Sequence, residues 1–256
     1  VTDALGHSTS YAYDEVGNRI SETDANTNTT FFEYDASGSL IKRILPLGQS
    51  ESYAYDGVGN MISKTDCNGD TITYEYDDNN RLIRRTLPTL PAPMVETITY
   101  TATGKRATET DARGTTLYEY DLRDRLVLKT EPDGTQISYT YDLAGNLTSL
   151  TSPSGTTAYD YDAGNRLSQV TAADNGITLY TYDSAGNRAG ITFPNANTTE
   201  YTYSSLNRLT DMETRTSGGT VIAGFTYTLG PAGNRTRVEE SHTGRIIDYT
   251  YDDLYR

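Results

Sequence analysis

The sequence predicts an all-β fold, a tandem array of antiparallel β-hairpins, and three observations carry that reading. A string of the form aromatic-x-Tyr-Asp-x-x-Gly-Asn-Arg returns about every 21 residues along the 256-residue chain. Tyrosine is used 22 times, against four Phe and no Trp. Clusters of Asp, Asn, Pro and Gly separate short strand-like runs, and nowhere is the apolar i, i+3, i+4 spacing of a helix sustained.

The clearest copies are YAYDEVGNR at 11–19, YAYDGVGNM at 53–61, YTYDLAGNL at 139–147 and YTYDSAGNR at 180–188, with weaker copies in the gaps. The second tyrosines stand at 13, 34, 55, 76, 100, 120, 141, 161, 182, 203, 227 and 251, which gives twelve units at spacings of 20 to 24 residues. Of the 22 tyrosines, 21 occupy one of the two aromatic positions and only Tyr255 falls elsewhere, so tyrosine is an architectural residue. Aspartate follows the second tyrosine in nine of the twelve units, and Thr101, Ser204 and Thr228 take its place in the others.

Each position has a physical role in the predicted unit. Tyr11 and Tyr13 lie two apart, so in a strand both rings leave the same face, and tyrosine is a good strand former. Asp14 ends the strand and can accept hydrogen bonds from backbone N–H groups ahead of it, while Gly17 supplies the positive φ of a tight loop. The same roles fall to Tyr53, Tyr55, Asp56 and Gly59, to Tyr139, Tyr141, Asp142 and Gly145, and to Tyr180, Tyr182, Asp183 and Gly186. A second turn signal closes each unit, as in TDCNGDT (65–71), TDARGTT (110–116), EPDGTQ (131–136) and TSPSGTT (151–157).

Two strands per unit make about 24 strands over residues 1–256, read as a single array continuing beyond both ends of the chain. At about 4.8 Å per strand a continuous meander is on the order of 115 Å wide and must curl. A ring of that circumference is only about 37 Å across, whereas a compact 100-residue cargo has a radius of gyration of roughly 13 Å, so a curved or spiralling partial shell is expected rather than a complete container. The alternative is a six-bladed propeller-like closure, with two units per blade. Three prolines in LPTLPAPM (87–94) are incompatible with a central strand and predict an inserted loop over 87–95.

Composition narrows the function. The formal charge is -14 and mean hydropathy is -0.61, which disfavour partners held by their phosphates, nucleic acid and anionic membrane surfaces alike. No apolar run reaches the roughly 18 residues of a membrane span. A single cysteine, Cys67, excludes an internal disulfide framework. His7 and His242 lie in different units without a nucleophile elbow or metal-ligand spacing, and Cys67 sits in a turn without a cationic neighbour, so all three read as surface residues. The Asp and Asn of DCNGD (66–70) lack the rest of a calcium loop and read as turn caps, and Arg81, Arg84 and Arg85 are expected to pair with strand carboxylates. No catalytic, cofactor or metal residue is assigned.

The Tyr-x-Tyr-Asp-x-x-Gly-Asn-Arg string at this period resembles the YD repeats of the bacterial Rhs family, found also in the B and C components of Tc toxins and in teneurins. The resemblance implies a β-hairpin spiral winding into a hollow shell that, in toxin relatives, encloses a cytotoxic C-terminal polypeptide. It implies release of that tail by a core segment with self-cleaving aspartates, to which nothing in this sequence corresponds. The chain is therefore expected to be a structural, non-enzymatic shell segment of a secreted or surface-displayed protein, with flanking repeats and an enclosed polypeptide as partners. Carbohydrate or cell-surface binding is the alternative, weakened by the absence of the tryptophan on which sugar-stacking repeats usually rely.

Overall fold

Alternating Tyr and Thr positions punctuated by Asp and Gly leave the chain few options besides short paired strands. The computed structural model describes residues 1–3, 6–88 and 92–252, and its regular secondary structure there is entirely β. The chain divides into two units, Val1–Gly134 and Thr135–Arg256. The first holds β1 (Ser10–Tyr13), β2 (Arg19–Thr23), β3 (Thr29–Tyr34), β4 (Leu40–Ile44), β5 (Ser50–Tyr55), β6 (Met61–Thr65), β7 (Thr71–Tyr76), β8 (Leu82–Leu87), β9 (Met94–Tyr100), β10 (Arg106–Asp111), β11 (Gly114–Tyr120) and β12 (Leu126–Thr130). The second holds β13 (Gln136–Tyr141), β14 (Leu147–Ser152), β15 (Gly155–Tyr161), β16 (Leu167–Thr171), β17 (Ile177–Tyr182), β18 (Arg188–Thr192), β19 (Thr198–Tyr203), β20 (Leu209–Arg215), β21 (Val221–Leu229), β22 (Arg235–Glu240) and β23 (Arg245–Asp248).

Within each unit every strand pairs antiparallel with the next in sequence. A propeller made from pairs of repeats would break this ladder after every fourth strand, and the uninterrupted pairing inside each unit replaces that alternative with a meander. Every hairpin that turns at the Asp-Gly end carries a β-bulge. In the first, Ala12 opposes Ser21 and Tyr13 opposes Arg19, leaving Ile20 as the extra residue. A bulge at each such turn adds local right-handed twist once per repeat.

Leu87 pairs with Met94 at the base of the predicted proline loop, so the ends of the 87–95 stretch are strand residues. Residues 89–91 of that loop, and Tyr255, lie outside the described residues.

The eleventh repeat corrects the sequence reading. β21 runs two residues past Tyr227, and Leu229 pairs with Arg235 as the second tyrosine of other repeats pairs with its partner. Gly230, not Thr228, occupies the aspartate place: its N–H donates to the Asn234 carbonyl at 2.8 Å. The reason is the turn. Gly233 has φ +90° and donates its N–H to the carbonyl three residues back, which fixes the register from the loop side whatever the aromatic pattern suggests.

Almost no side chain is fully buried. Among the described residues the buried ones are Val238, Thr116, Thr199 and Gly224, so each repeat is held by its neighbours and not by a central core. Gly57 and Gly59 give an internal comparison of what the turn requires. Gly59 sits at φ +93°, whereas Gly57 has an ordinary φ, and open space surrounds the Cβ position of both. In chemical denaturation Gly59→Ala is expected to cost about 1–2 kcal/mol, while Gly57→Ala stays within about 0.5 kcal/mol of the parent.

Candidate functional site

The repeated aspartate closes its turn with both carboxylate oxygens. Asp14 Oδ1 accepts from the N–H of Val16 at 3.1 Å and of Asn18 at 2.8 Å, and Oδ2 accepts from Asn18 Nδ2 at 2.9 Å. Asp56 does the same with Val58 and Asn60, and Asp183 with Ala185 and Asn187. Asp142 accepts from the N–H of Gly145 and from both nitrogens of Asn146. The asparagine side-chain hydrogen bond is the main cause that holds the carboxyls of Asp56, Asp142 and Asp183 below the usual range. At Asp14 burial pushes upward, but the Asn18 and turn N–H bonds together outweigh it. Gly17, Gly59, Gly145 and Gly186 all have φ between +90° and +102°.

The tyrosines tie one hairpin to the next. Tyr55 donates its hydroxyl to the carbonyl of Leu40 at 2.9 Å, and Leu40 is the residue paired with Tyr34 in the preceding hairpin. Tyr34, Tyr76, Tyr100, Tyr120, Tyr161, Tyr182, Tyr203 and Tyr251 make the equivalent bond at 2.7 to 3.1 Å. These second tyrosines are thus straps across repeat boundaries. Leu229, in the same place, has no hydroxyl to offer. Tyr13, in the first hairpin, is 59% exposed and has no acceptor among the described residues. Burial raises the phenols of Tyr76, Tyr120, Tyr161 and Tyr203, and at Tyr53 burial and then the hydrogen bond to Glu51 push the phenol up to about 12. The structure therefore gathers Tyr, Asp and Gly of one repeat around its turn, and the second tyrosine also reaches back to the repeat before.

Sequence reasoning missed a change in what accompanies these rings. The residue directly opposite the first aromatic position, which in the fifth repeat is occupied by Ile98, shares its face. In the first unit these residues are charged: Glu22, Arg43, Lys64, Arg85, Glu109 and Lys129. In the second unit they are apolar: Leu150, Val170, Ile191, Met212 and Val238. The extra residue of the bulge changes in the opposite sense, from Ile20, Ile41, Ile62, Ile83, Ala107 and Val127 to Thr148, Ser168, Ala189, Thr210 and Thr236. On the charged face Glu51 takes Arg43 at 3.4 Å, Lys64 at 3.9 Å and the Tyr53 hydroxyl at 2.9 Å, and Arg85 pairs with Glu96. The signal lay in the fourth residue after the motif asparagine, read as a column and not along the chain.

The remaining polar candidates take structural partners. Arg81 pairs with Asp77, Arg84 with Glu75 and Arg85 with Glu96. Asp66 caps its turn through the N–H groups of Asn68 and Asp70, and Cys67 beside it is exposed. His7 bonds Asp3, and His242 Nδ1 lies 3.1 Å from the Gly224 N–H and edge-on to Phe225. No group of three or more His, Cys, Asp or Glu able to hold a metal occurs among the described residues.

The RHS repeat model matches residues 1–29, 34–66, 55–89, 100–136, 120–157, 141–177 and 159–198. Among solved structures the fold is similar to that of a TcdB2-TccC3 complex, with TM-score 0.73 at 20% identity over 100% of this chain and 16% of that one. A TcdB2-TccC3-Cdc42 complex gives 0.73 at 19% identity over 98% and 15%. A Tc holotoxin pore of Photorhabdus luminescens gives 0.72 at 19% identity over 97% and 15%. The chain thus spans about one-sixth of the length of these structures. No curated protein matches the sequence.

Removing one strap isolates its contribution. Tyr182→Phe keeps the ring under Arg166 but loses the bond to Leu167, and is expected to cost about 0.5–1.5 kcal/mol. Tyr13→Phe, with no acceptor to lose, is expected to change stability by less than about 0.5 kcal/mol in the same denaturation assay. The tyrosine and aspartate shifts bound the stable range from both sides. Phenols raised above 10.0 contribute stability that is complete below that pH and is lost as pH rises through their folded values, up to about 12 at Tyr53. Carboxyls lowered from 3.8 contribute stability that is complete above that pH and is lost as pH falls through their folded values. Stability measured against pH is expected to be level in between and to fall on both flanks.

Proposed function

This chain belongs to the RHS repeat family, and on that premise we propose that it is a length of structural wall in a longer polypeptide, joined to further repeats and surrounding a polypeptide carried by the same protein. The observation that carries the proposal is where the repeated groups are used. The hydroxyls of second tyrosines such as Tyr55 and Tyr182 bond the preceding hairpin and the turn carboxylates bond their own loop, so these recurring groups are engaged in building the sheet. We assign it no reaction. A carbohydrate-binding role gains nothing from second tyrosines such as Tyr76 and Tyr161, whose hydroxyls already donate to backbone carbonyls.

In its specific form the proposal makes the enclosed polypeptide a C-terminal toxin and the whole protein one that is secreted or displayed at a bacterial surface. No helix of the described residues is long and apolar enough to cross a membrane. Limited proteolysis of the full-length gene product tests the enclosure. The expected result is that the segment downstream of the repeats survives while the wall is intact and is digested once denaturant opens it. Digestion of that segment in the native protein at the rate seen when it is expressed alone would overturn the proposal.

A further inference from the structure

The edge formed by the aspartate turns carries an alternation that the repeat consensus does not contain. The left-handed position of the turn is glycine at 59, 104, 145, 186 and 233. In the intervening turns it is Asn80, Asp124, Asn165 and Asn207, with φ between +55° and +65°. From Gly59 to Gly233 the two kinds alternate without exception over nine turns; the alternation begins there, since Gly17, Gly38 and Gly59 occupy three successive turns, with Asn18 and Ser39 following the first two. The residue that follows alternates too: Asn60, Lys105, Asn146, Asn187 and Asn234 after glycine, but Arg81, Arg125, Arg166 and Arg208 after Asn or Asp.

The two kinds of neighbour meet differently. Where a glycine turn precedes, its side chain donates onto the Asn or Asp of the next turn. Asn60 Nδ2 reaches Asn80 Oδ1 at 2.9 Å, Thr103 Oγ1 reaches Asp124 Oδ1 at 2.7 Å, Asn146 Nδ2 reaches Asn165 Oδ1 at 2.5 Å, and Asn187 Nδ2 reaches Asn207 Oδ1 at 3.0 Å. Where an arginine turn precedes, the guanidinium reaches over the next hairpin. Arg81 lies 4.4 Å from the Tyr100 ring centre and Arg166 4.4 Å from that of Tyr182. A Cβ at Gly104 would stand 3.4 Å from the Arg81 guanidinium, one at Gly186 3.8 Å from that of Arg166, and one at Gly233 2.8 Å from Arg208 Cζ. At Gly233 the glycine therefore answers two needs, positive φ and room for the preceding arginine, whereas at Gly104 and Gly186 the distances are ordinary van der Waals contacts and the preceding guanidinium is placed by the ring it covers.

We propose that from Gly59 to Gly233 these turns form a two-repeat matching rule, in which each turn biases whether the next carries glycine or Asn/Asp at its left-handed position, and so fixes that stretch of the array in steps of two repeats. Hairpins this alike invite slippage by one repeat. A slip by one brings arginine against an Asn side chain and leaves an Asn donor facing glycine; a slip by two restores every contact. The rule supplies the repulsive element that separates correct from incorrect neighbours. It holds whether or not the wall encloses anything.

Two internal deletions within the full chain test the rule. Removing 167–187, one repeat, joins Arg166 to Arg188 and sets the Arg166 turn before Asn207. Removing 147–187, two repeats, joins Asn146 to Arg188 and sets a matching Asn146 turn before Asn207. If stability merely summed over repeats, the longer deletion would be the more damaging; the rule predicts a lower denaturation midpoint for the shorter one, and the reverse order would overturn it. A point-substitution cycle gives the same answer without deletion. Gly233→Asn is expected to shift the unfolding equilibrium about tenfold more in the parent than in an Arg208→Asn background, where the arginine crowding position 233 is gone and the new side chain gains an amide partner. The backbone strain of replacing glycine is common to both arms and cancels, so equal shifts in the two backgrounds would overturn the rule.

Discussion

The tyrosine hydroxyl that crosses from one hairpin to the backbone of the previous one is the interaction on which the rest depends. A single antiparallel hairpin is at best marginal in water, and this chain does not compensate with a core: among the described residues Val238 is the one buried hydrophobic side chain. Cohesion has to come from what each repeat gives its neighbour. Main-chain pairing supplies part of it, but pairing alone leaves a sheet free to shear. A hydroxyl anchored on the carbonyl opposite the previous tyrosine, as Tyr76 is on Met61, fixes the offset of successive hairpins as well as their adjacency.

That dependence explains which features could be read from the sequence. Strand content, the turn role of Asp14 or Asp183, and the positive φ at Gly17 or Gly186 are local properties, decided within five residues, and the motif displays them directly. The strap partner is not local. Leu40 and Leu167 are recognisable as acceptors only once the register of two hairpins is known, because the accepting atom is a carbonyl that every residue possesses. The eleventh repeat shows the same limit from the other side. Its aromatic spacing points to Tyr227, but the loop geometry around Gly233 decides the register and moves the equivalent position to Leu229.

The exchange of charged for apolar residues beside the tyrosine rings marks the two units as different materials built on one plan. Part-exposed ion pairs such as Arg106 with Glu109 contribute little, about 0–1 kcal/mol each, so the row in the first unit does more to keep that face hydrated and its charges balanced than to stabilise it. Leu150, Val170, Ile191 and Met212 in the second unit remove apolar surface from water beneath their neighbours, and Val238 is 5% exposed. The opposite exchange at the bulge, from isoleucine to threonine and serine, keeps the number of apolar positions per repeat nearly constant. What changes is the position along the strand that carries them.

Repetition creates a problem that the edge of the array answers. Identical hairpins pair equally well with a correct neighbour and with one displaced by a repeat, and the strap does not discriminate, since each tyrosine that makes it finds the same kind of carbonyl. Discrimination has to reside in side chains that differ between adjacent repeats while recurring over a longer period. The turn edge meets that requirement at low cost, because its residues already adopt the left-handed conformation that glycine and asparagine both tolerate. Exchanging one for the other leaves the loop intact and alters whether the preceding arginine has room, as beside Gly233, or the preceding asparagine has an acceptor, as at Asn80 and Asn207. A single motif can thus specify the fold of each hairpin and, through the one turn position it leaves free, the order in which the hairpins stand.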